Sequence, residues 1–229
     1  MFKENEDLIS FILTYVKKLP EKSILVVTSK IVALSEGRIM KIYSSTSRDK
    51  FREKIIKKES DLALHTKYSW LTVKDGMVMT SAGIDESNAN GKIILLPINS
   101  FRTAHNIRKI LCKKYKVKNL GILIIDSRKL PTRVGIIGTA IGYAGFKGIK
   151  DSRGQPDIFG RILKYARSNV ADSLATAAVL CMGEGGERQP LALITDSHIE
   201  FTEKINKNEL IINLKDDLYL PLFRRILKK

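Results

Sequence analysis

The sequence predicts a mixed α/β (α+β) fold, and three observations carry that reading. Two apolar runs, ILVV at 24–27 and LGILIID at 120–126, have the length and composition of buried strands. Apolar residues recur at helical spacing in NEDLISFILTYVKK at 5–18 and again over 100–116. The segment WLTVKDGMVMT reads as a β-hairpin turning at Asp75-Gly76. A chain of 229 residues buries a sizeable core, as one domain over 1–229 or as two packed lobes.

Taken in order, Leu8, Phe11, Ile12 and Tyr15 form the apolar stripe of the first helix, with Asn5 as its expected cap and Pro20 as its stop. The strand at 24–27 empties into Thr28, Ser29 and Lys30, and a helix follows at Ile31 to Leu34. Residues 48–60 read as a charged, solvated helix. The hairpin delivers the chain into TSAGIDESNANG at 80–91, after which GKIILLPIN reads as a strand. A basic amphipathic helix over 100–116 leads to the strand that stops at Asp126. GIIGTAIGYAGFKG follows no dinucleotide-binding pattern; its glycines point to tight backbone packing or bulged strands. SNVADSLATAAVLCMG is a strong helix, capped by Ser168 or Asn169, with Asp172 in its first turn and Gly183 past its end. Its Ala-rich face implies a close contact, and it ends in GEGGE, which carries Glu184 and Glu187.

Composition narrows the functional classes. Hydrophobic residues make up 44% and charged residues 28%, ordinary values for a globular protein. Cys112 and Cys181 stand far apart and outside any C-x-x-C, which favours a reducing, cytoplasmic setting over a structural zinc site. MFKENEDLISF is too charged for a signal peptide, and no apolar run is long enough to span a bilayer, so no membrane partner is expected. The net charge of +16 suits a polyanionic partner, but the lysines are spread along the sequence, with pairs near 17, 57, 113 and 228. No helix-turn-helix, zinc knuckle or aromatic-interleaved pattern is present, so no specific nucleic-acid partner is expected.

Two segments carry chemistry. TSAGIDESNANG is too polar for a buried strand. It reads either as a surface turn or as a metal and phosphate loop in which Asp85 and Glu86 give oxygens and Asn88 an amide. Thr28, Ser29 and Lys30 present hydroxyls and an ammonium to phosphate, or are a plain strand end. Asp126, a carboxylate ending a strand, sits where α/β proteins bind ligands.

Four pieces, VVTSKIVALSEGR, AGIDESN, IIDS followed by P-T-R-V-G and AIGYAG, and VADSLATAAVLCMGEG, together resemble the coenzyme F-420-0:L-glutamate ligase family, the F-420-0 gamma-glutamyl ligases. The resemblance spans about residues 5 to 195. It implies that family's unusual mixed α/β fold, an intertwined homodimer, and GTP-dependent attachment of L-glutamate to a carboxylate of a deazaflavin precursor, using Mg or Mn. It further implies metal ligation by Asp85, Asp126, Ser127 and Glu184, with two divalent ions expected. Nucleotide contacts fall to Ser29, Lys30, Asn88, Met182, Gly183 and Gly185, and Arg133 is on the possible substrate side. Carboxylates and hydroxyls are hard ligands that suit Mg or Mn, and two such ions would neutralise charge on a transferring phosphoryl group.

The chain departs from the family pattern D-T-x-G-R-P-W-R-x-G-Q, reading DSRKLPTRVGI. Pro131, Arg133 and Gly135 are kept, whereas Lys129, Leu130, Thr132 and Ile136 replace Gly, Arg, Trp and Gln. Leu34 stands where the family often has a second nucleotide-contacting Lys. These changes remove anion pairing, stacking and hydrogen bonding, and so alter the expected acceptor surface. A folate or pterin acceptor, or a non-catalytic nucleotide- or nucleic-acid-binding relative, are the competing readings.

Overall fold

Asp7, not Asn5, caps the first helix, α1 (Leu8–Tyr15): its carboxylate accepts the Ser10 N–H at 2.6 Å. Asn5 has φ 60° and gives its backbone N–H to Leu34 O instead, fastening the N-terminus to the second helix. A computed structural model describes residues 1–42 and 47–222, so the Lys228-Lys229 pair lies outside it. β1 (Ser23–Thr28) runs directly into α2 (Ser29–Ser35), and β2 (Ile39–Met40) precedes α3 (Arg48–Glu59). β3 (Leu62–His65), β4 (Trp70–Lys74) and β5 (Met77–Thr80) form an antiparallel sheet. Asp75 and Gly76 both have positive φ, 51° and 73°, as the predicted two-residue hairpin turn requires.

GKIILLPIN pairs over only two residues, β6 (Ile93–Ile94), against β2. Beyond it Leu95 donates to Arg38 O, and Pro97 has no N–H with which to continue a ladder. There follow α4 (Ser100–Tyr115), β7 (Leu120–Arg128), β8 (Ile137–Ala144), β9 (Ile149–Asp151), β10 (Arg167–Asn169), α5 (Val170–Met182) and β11 (Leu191–Ile194). The central sheet has the order β11-β1-β7-β8, with β1 and β7 parallel and both outer pairings antiparallel.

Both faces of this sheet are covered, which is why its strands read as unbroken apolar runs. Leu25, Val27, Ile122 and Ile124 pack with α4 residues Ala104, Ile107 and Leu111. Ile24, Val26, Leu123 and Ile125 pack with Ala171, Ala175, Ala178 and Met182 of α5. Each such fully buried branched side chain contributes roughly 1.5–3 kcal/mol.

β8 carries a bulge: Ile124 faces Gly142 while Ile125 faces Ala140, leaving Ile141 as an extra residue. The bulge switches the strand's alternation, so Gly138 and Gly142 face opposite helices. A Cβ on Gly138 would lie 2.2 Å from Ala175 O of α5, and one on Gly142 would lie 2.4 Å from the Ser100 backbone of α4. The expectation of tight backbone packing in this glycine-rich run is met on both sides.

After β11 the chain returns across the α5 face. Ile199, Phe201, Ile205 and Leu210 pack against it. Buried Arg108 donates to Glu203 Oε2 and Oε1 at 2.6 and 2.7 Å, to Leu120 O at 2.7 Å and to Lys118 O at 2.9 Å. Tyr143 donates to Glu209 Oε1 at 2.6 Å, an oxygen that also accepts Gly148 N–H at 2.7 Å. No helix among the described residues is long and apolar enough to cross a membrane.

Candidate active site

The parallel register of β1 and β7 builds the centre of the site. Thr28 lies opposite Ile125, so Ser29, the first residue beyond β1, stands beside Asp126, which is still paired with Thr139 of β8 because β7 runs two residues past the predicted stop. Ser29 Oγ donates to Asp126 Oδ1 at 3.0 Å. This is the carboxyl end of two parallel strands, the usual ligand position of an α/β sheet. Burial pushes the Asp126 carboxyl up, and nearby Asp85 adds to that; the Arg128 guanidinium and the Ser29 hydroxyl pull it back down.

The polar stretch after the hairpin is a turn and is also pinned in place. Ser81, Ala82, Asn88 and Asn90 all have positive φ, between 49° and 57°. Such conformations cost energy in non-glycine residues and persist where surrounding bonds impose them. Ala82 N–H donates to the buried Thr72 hydroxyl, which itself donates to Met79 O. Asp85 exchanges both backbone bonds with Ile94 of β6, at 2.9 and 2.8 Å, and its Oδ1 accepts Ser87 N–H at 2.7 Å. Glu86 turns away to Arg48 and Arg52 of α3. Lys30 reaches across to the loop, with Nζ 2.6 Å from Asp85 Oδ2, 3.1 Å from Ser87 Oγ and 3.2 Å from Ser87 O.

The third wall comes from the end of α5. Gly183 stops the helix with φ 76°, and a Cβ there would lie 2.3 Å from Glu187 Cδ. The Glu187 carboxylate folds back beneath it and accepts Gly185 N–H at 2.7 Å. Glu184 then meets the Ser127 hydroxyl, and Asn88 Nδ2 lies 3.5 Å from Gly185 O.

Ser29, Lys30, Asp85, Asn88, Asp126, Ser127, Met182, Gly183, Glu184 and Gly185 all line one cavity of about 1020 Å³. Phe2, Phe11, Leu34 and Leu96 give the same cavity an apolar limb. Arg133 is exposed and does not line the cavity, nor do Leu130, Thr132 and Ile136. No group of three or more His, Cys, Asp or Glu among the described residues stands close enough to form a metal site as it is. The donor set nevertheless fits a hard divalent ion: carboxylates and hydroxyls share one cavity, and Asp126 is desolvated beside Asp85.

Three contributors escape a sequence reading. Ser87 fixes Lys30, and Glu187 shapes the helix end. Arg128, two residues beyond Asp126, is buried with Nε and Nη2 unpartnered among the described residues. Arg128 ends β7 directly after Asp126 and Ser127, and so reads in the sequence as an ordinary charged strand end.

A family model described as F420-0:Gamma-glutamyl ligase matches residues 1–196. The chain belongs to the F420-0:gamma-glutamyl ligase family. Among relatives of this ligase family, the "Coenzyme F420:L-glutamate ligase" of Methanococcus maripaludis strain C7 is 31% identical over 215 residues, covering 88% of this chain and 86% of the relative. The protein of the same name from strain S2 is 33% identical over 218 residues, 94% of this chain and 86% of the relative. That of Archaeoglobus fulgidus is 30% identical over 208 residues, 85% of this chain and 83% of the relative. The F420-0:gamma-glutamyl ligase match covers every cavity residue named above and ends before the returning C-terminal segment.

Proposed function

We propose that the protein joins L-glutamate to a carboxylate of coenzyme F420-0 at the expense of GTP. The observation carrying this reading is the gathering of three acids from three distant segments, Asp85, Asp126 and Glu184, around one cavity with Ser29 and Lys30. The family description supplies the acceptor, F420-0, and the names of the relatives supply the amino acid. A binding module has no need of three acids converging in this way.

Asp85, Asp126, Ser127 and Glu184 would hold two Mg or Mn ions, whose chemistry is to neutralise the triphosphate and the transferring phosphoryl group. Lys30 and Ser29 bind the phosphates, Asn88 and the Met182–Gly185 backbone orient the nucleotide, and the apolar limb accepts a flat ring. An acceptor carboxylate oxygen attacks the γ-phosphorus, and the bond to the β-phosphate oxygen breaks to release GDP. The glutamate amine then attacks the acyl phosphate carbon. Inorganic phosphate leaves, the amine loses a proton, and an amide remains. Walls on three sides limit access of water, which would otherwise hydrolyse the acyl phosphate.

The same proposal includes a cytoplasmic setting, consistent with two free cysteines, and a homodimer. Between β9 and β10 the chain exposes Ile158, Phe159, Ile162 and Tyr165, each at least 53% accessible. An apolar set of that size on one excursion is a surface for another chain. Light scattering should give a dimer mass at micromolar concentration.

The test is incubation of pure protein with L-glutamate, Mg or Mn, each nucleoside triphosphate, and coenzyme F420-0 or a folate, followed by mass spectrometry. Glutamylated F420-0 formed with GTP is expected. Product only with a folate would replace the acceptor, and no product with any acceptor would remove the ligase reading.

A further inference from the structure

Six of the lysines that look dispersed in the sequence are gathered by the fold at one pole. The loop entering β1 carries Lys17, Lys18 and Lys22, and the loop entering β7 carries Lys114 at the helix end, Lys116 and Lys118. These loops are adjacent because β1 and β7 pair in parallel from Ser23 opposite Leu120. They are tied together directly: Lys22 N–H donates to Asn119 O at 2.7 Å, and the Tyr115 hydroxyl bonds Val16 O. All six lysines are exposed, and none makes an ion pair among the described residues.

The acids nearby do not neutralise this face. Glu21 sits between the two loops, its oxygens accepting the Lys118 and Asn119 backbone N–H groups at 2.9 and 2.6 Å, and it sets one negative charge against the six positive ones. Glu203 is taken by Arg108. The active-site cavity opens at the other ends of the same two strands, about 20 Å away at some 3.3 Å per residue.

We propose that this basic pole is a second binding surface, which takes the phosphate backbone of a nucleic-acid duplex without reading its sequence. Lysines act there as point charges that neutralise phosphates and release counterions. Stable attachment to a bilayer by one basic patch needs an apolar anchor as well. This pole offers exposed Pro20 at its tip and one exposed aromatic at its edge, Tyr15, with Leu19 buried and Val16 and Val117 half-buried. The exposed bases of a single strand need several stacking aromatics, whereas here Tyr115 is half-buried and Tyr15 packs against Phe11, at 4.7 Å between ring centroids. The proposal is independent of the ligase reading, because none of the six lysines lines the cavity.

The test is fluorescence anisotropy with a labelled 20-base-pair duplex of arbitrary sequence across a salt series. Wild type is compared with the quadruple variant Lys17→Glu, Lys18→Glu, Lys116→Glu, Lys118→Glu, with its Gln counterpart, and with a remote control on α3, Lys50→Glu, Lys54→Glu, Lys58→Glu. Six neutralised phosphates give a slope of log K against log salt near about −5, and two remaining contacts give about −2. The Glu variant should lose at least about a hundredfold in affinity at low salt, the Gln variant less, and the control under about threefold. Circular dichroism and nucleotide binding should be unchanged in the pole variants. Equal losses in pole and control variants would overturn the proposal by showing diffuse charge. Co-sedimentation with anionic phospholipid vesicles at physiological salt, without duplex binding, would overturn it in favour of a lipid surface.

Discussion

Lys30 Nζ stands 2.6 Å from Asp85 Oδ2, so one proposed phosphate ligand is paired with one proposed metal ligand. Both side chains are partly exposed, at 28% and 38%. A metal ion on Asp85 would compete with the ammonium, and a bound triphosphate would draw the ammonium away. Lys30→Met should therefore strengthen Mn binding without nucleotide by two- to fivefold, the scale of about 0.5–1 kcal/mol for a partly exposed pair. The same variant should weaken nucleotide binding. Calorimetric titration of Mn with and without GTP reads both effects, and unchanged Mn affinity in Lys30→Met would show that the pair does not gate the metal.

Asp126→Asn should abolish ligation while leaving the fold intact. The apolar residues of β7 still pack on both faces, and the amide can still accept from Ser29. The charged oxygen is what is lost. Product mass and Mn calorimetry check this, with the circular dichroism melt as a control. Glu184→Gln should have a smaller effect, since water can fill its coordination position.

Arg108→Met should destabilise the protein by about 2–4 kcal/mol, because it strands the Leu120 and Lys118 carbonyls that the buried guanidinium satisfies. Glu203→Gln should cost less than about 1 kcal/mol, because the glutamate is 74% exposed and screened. The Arg108 guanidinium holds the Glu203 carboxyl below the usual carboxylate range. Its contribution is thus present above the unfolded value of about 4.3 and is lost as pH falls through the lower folded value. Urea melts at pH 7 and pH 3 should show the wild-type advantage over Glu203→Gln shrinking at the lower pH.

At the alkaline end, burial and the Glu209 carboxylate push the Tyr143 hydroxyl well above its ordinary value. A raised folded value gives stability that is full below the unfolded value near 10 and is lost as pH rises beyond it. Tyr143→Phe should be less stable than wild type by about 1 kcal/mol at pH 8, with the gap closing above about pH 10. Thermal melts across that range decide it.

Gly138→Ala should destabilise by about 1–3 kcal/mol or more, since its Cβ would meet the Ala175 carbonyl in a packed helix–strand contact. Gly91→Ala, with nothing within 4 Å but φ 76°, isolates the cost of backbone strain alone. Comparing the two by denaturant unfolding separates collision from conformation.

Much of this architecture was legible because its signals are local. The runs at 24–27 and 120–126, the Asp75-Gly76 turn and a helix cap at Ser168 or Asn169, of which Asn169 makes the bond, each declare themselves within a few residues. The polar segment after the hairpin was readable as a turn or as a ligand loop, and its bonds to β6 and Lys30 show how a turn can hold acids in a fixed place. Three features depend on partners about a hundred or fewer positions away and left no such mark: the bulge at Ile141, the Ser87 grip on Lys30 and the gathering of Lys17 with Lys116. The first helix was misjudged by two residues at its start because Asn5 and Asp7 are both good caps, and only Asp7 lies three residues before an N–H it can reach. The strand expected over 91–99 was overextended because apolar residues bury equally well without a ladder.

The returning C-terminal segment has a consequence for the order in which the protein can be made. Tyr143 and Phe146 emerge from the ribosome well before Ile199, Phe201, Ile205 and Leu210, which cover their side of the sheet. Until the Glu209 carboxylate arrives, the Tyr143 hydroxyl and the Gly148 N–H have no partner of their own. A nascent chain paused near residue 196 would hold every cavity residue yet leave that apolar side open to chaperones or to neighbouring chains. Docking of residues 199–210, and not formation of the cavity itself, is therefore what closes the second face of the sheet.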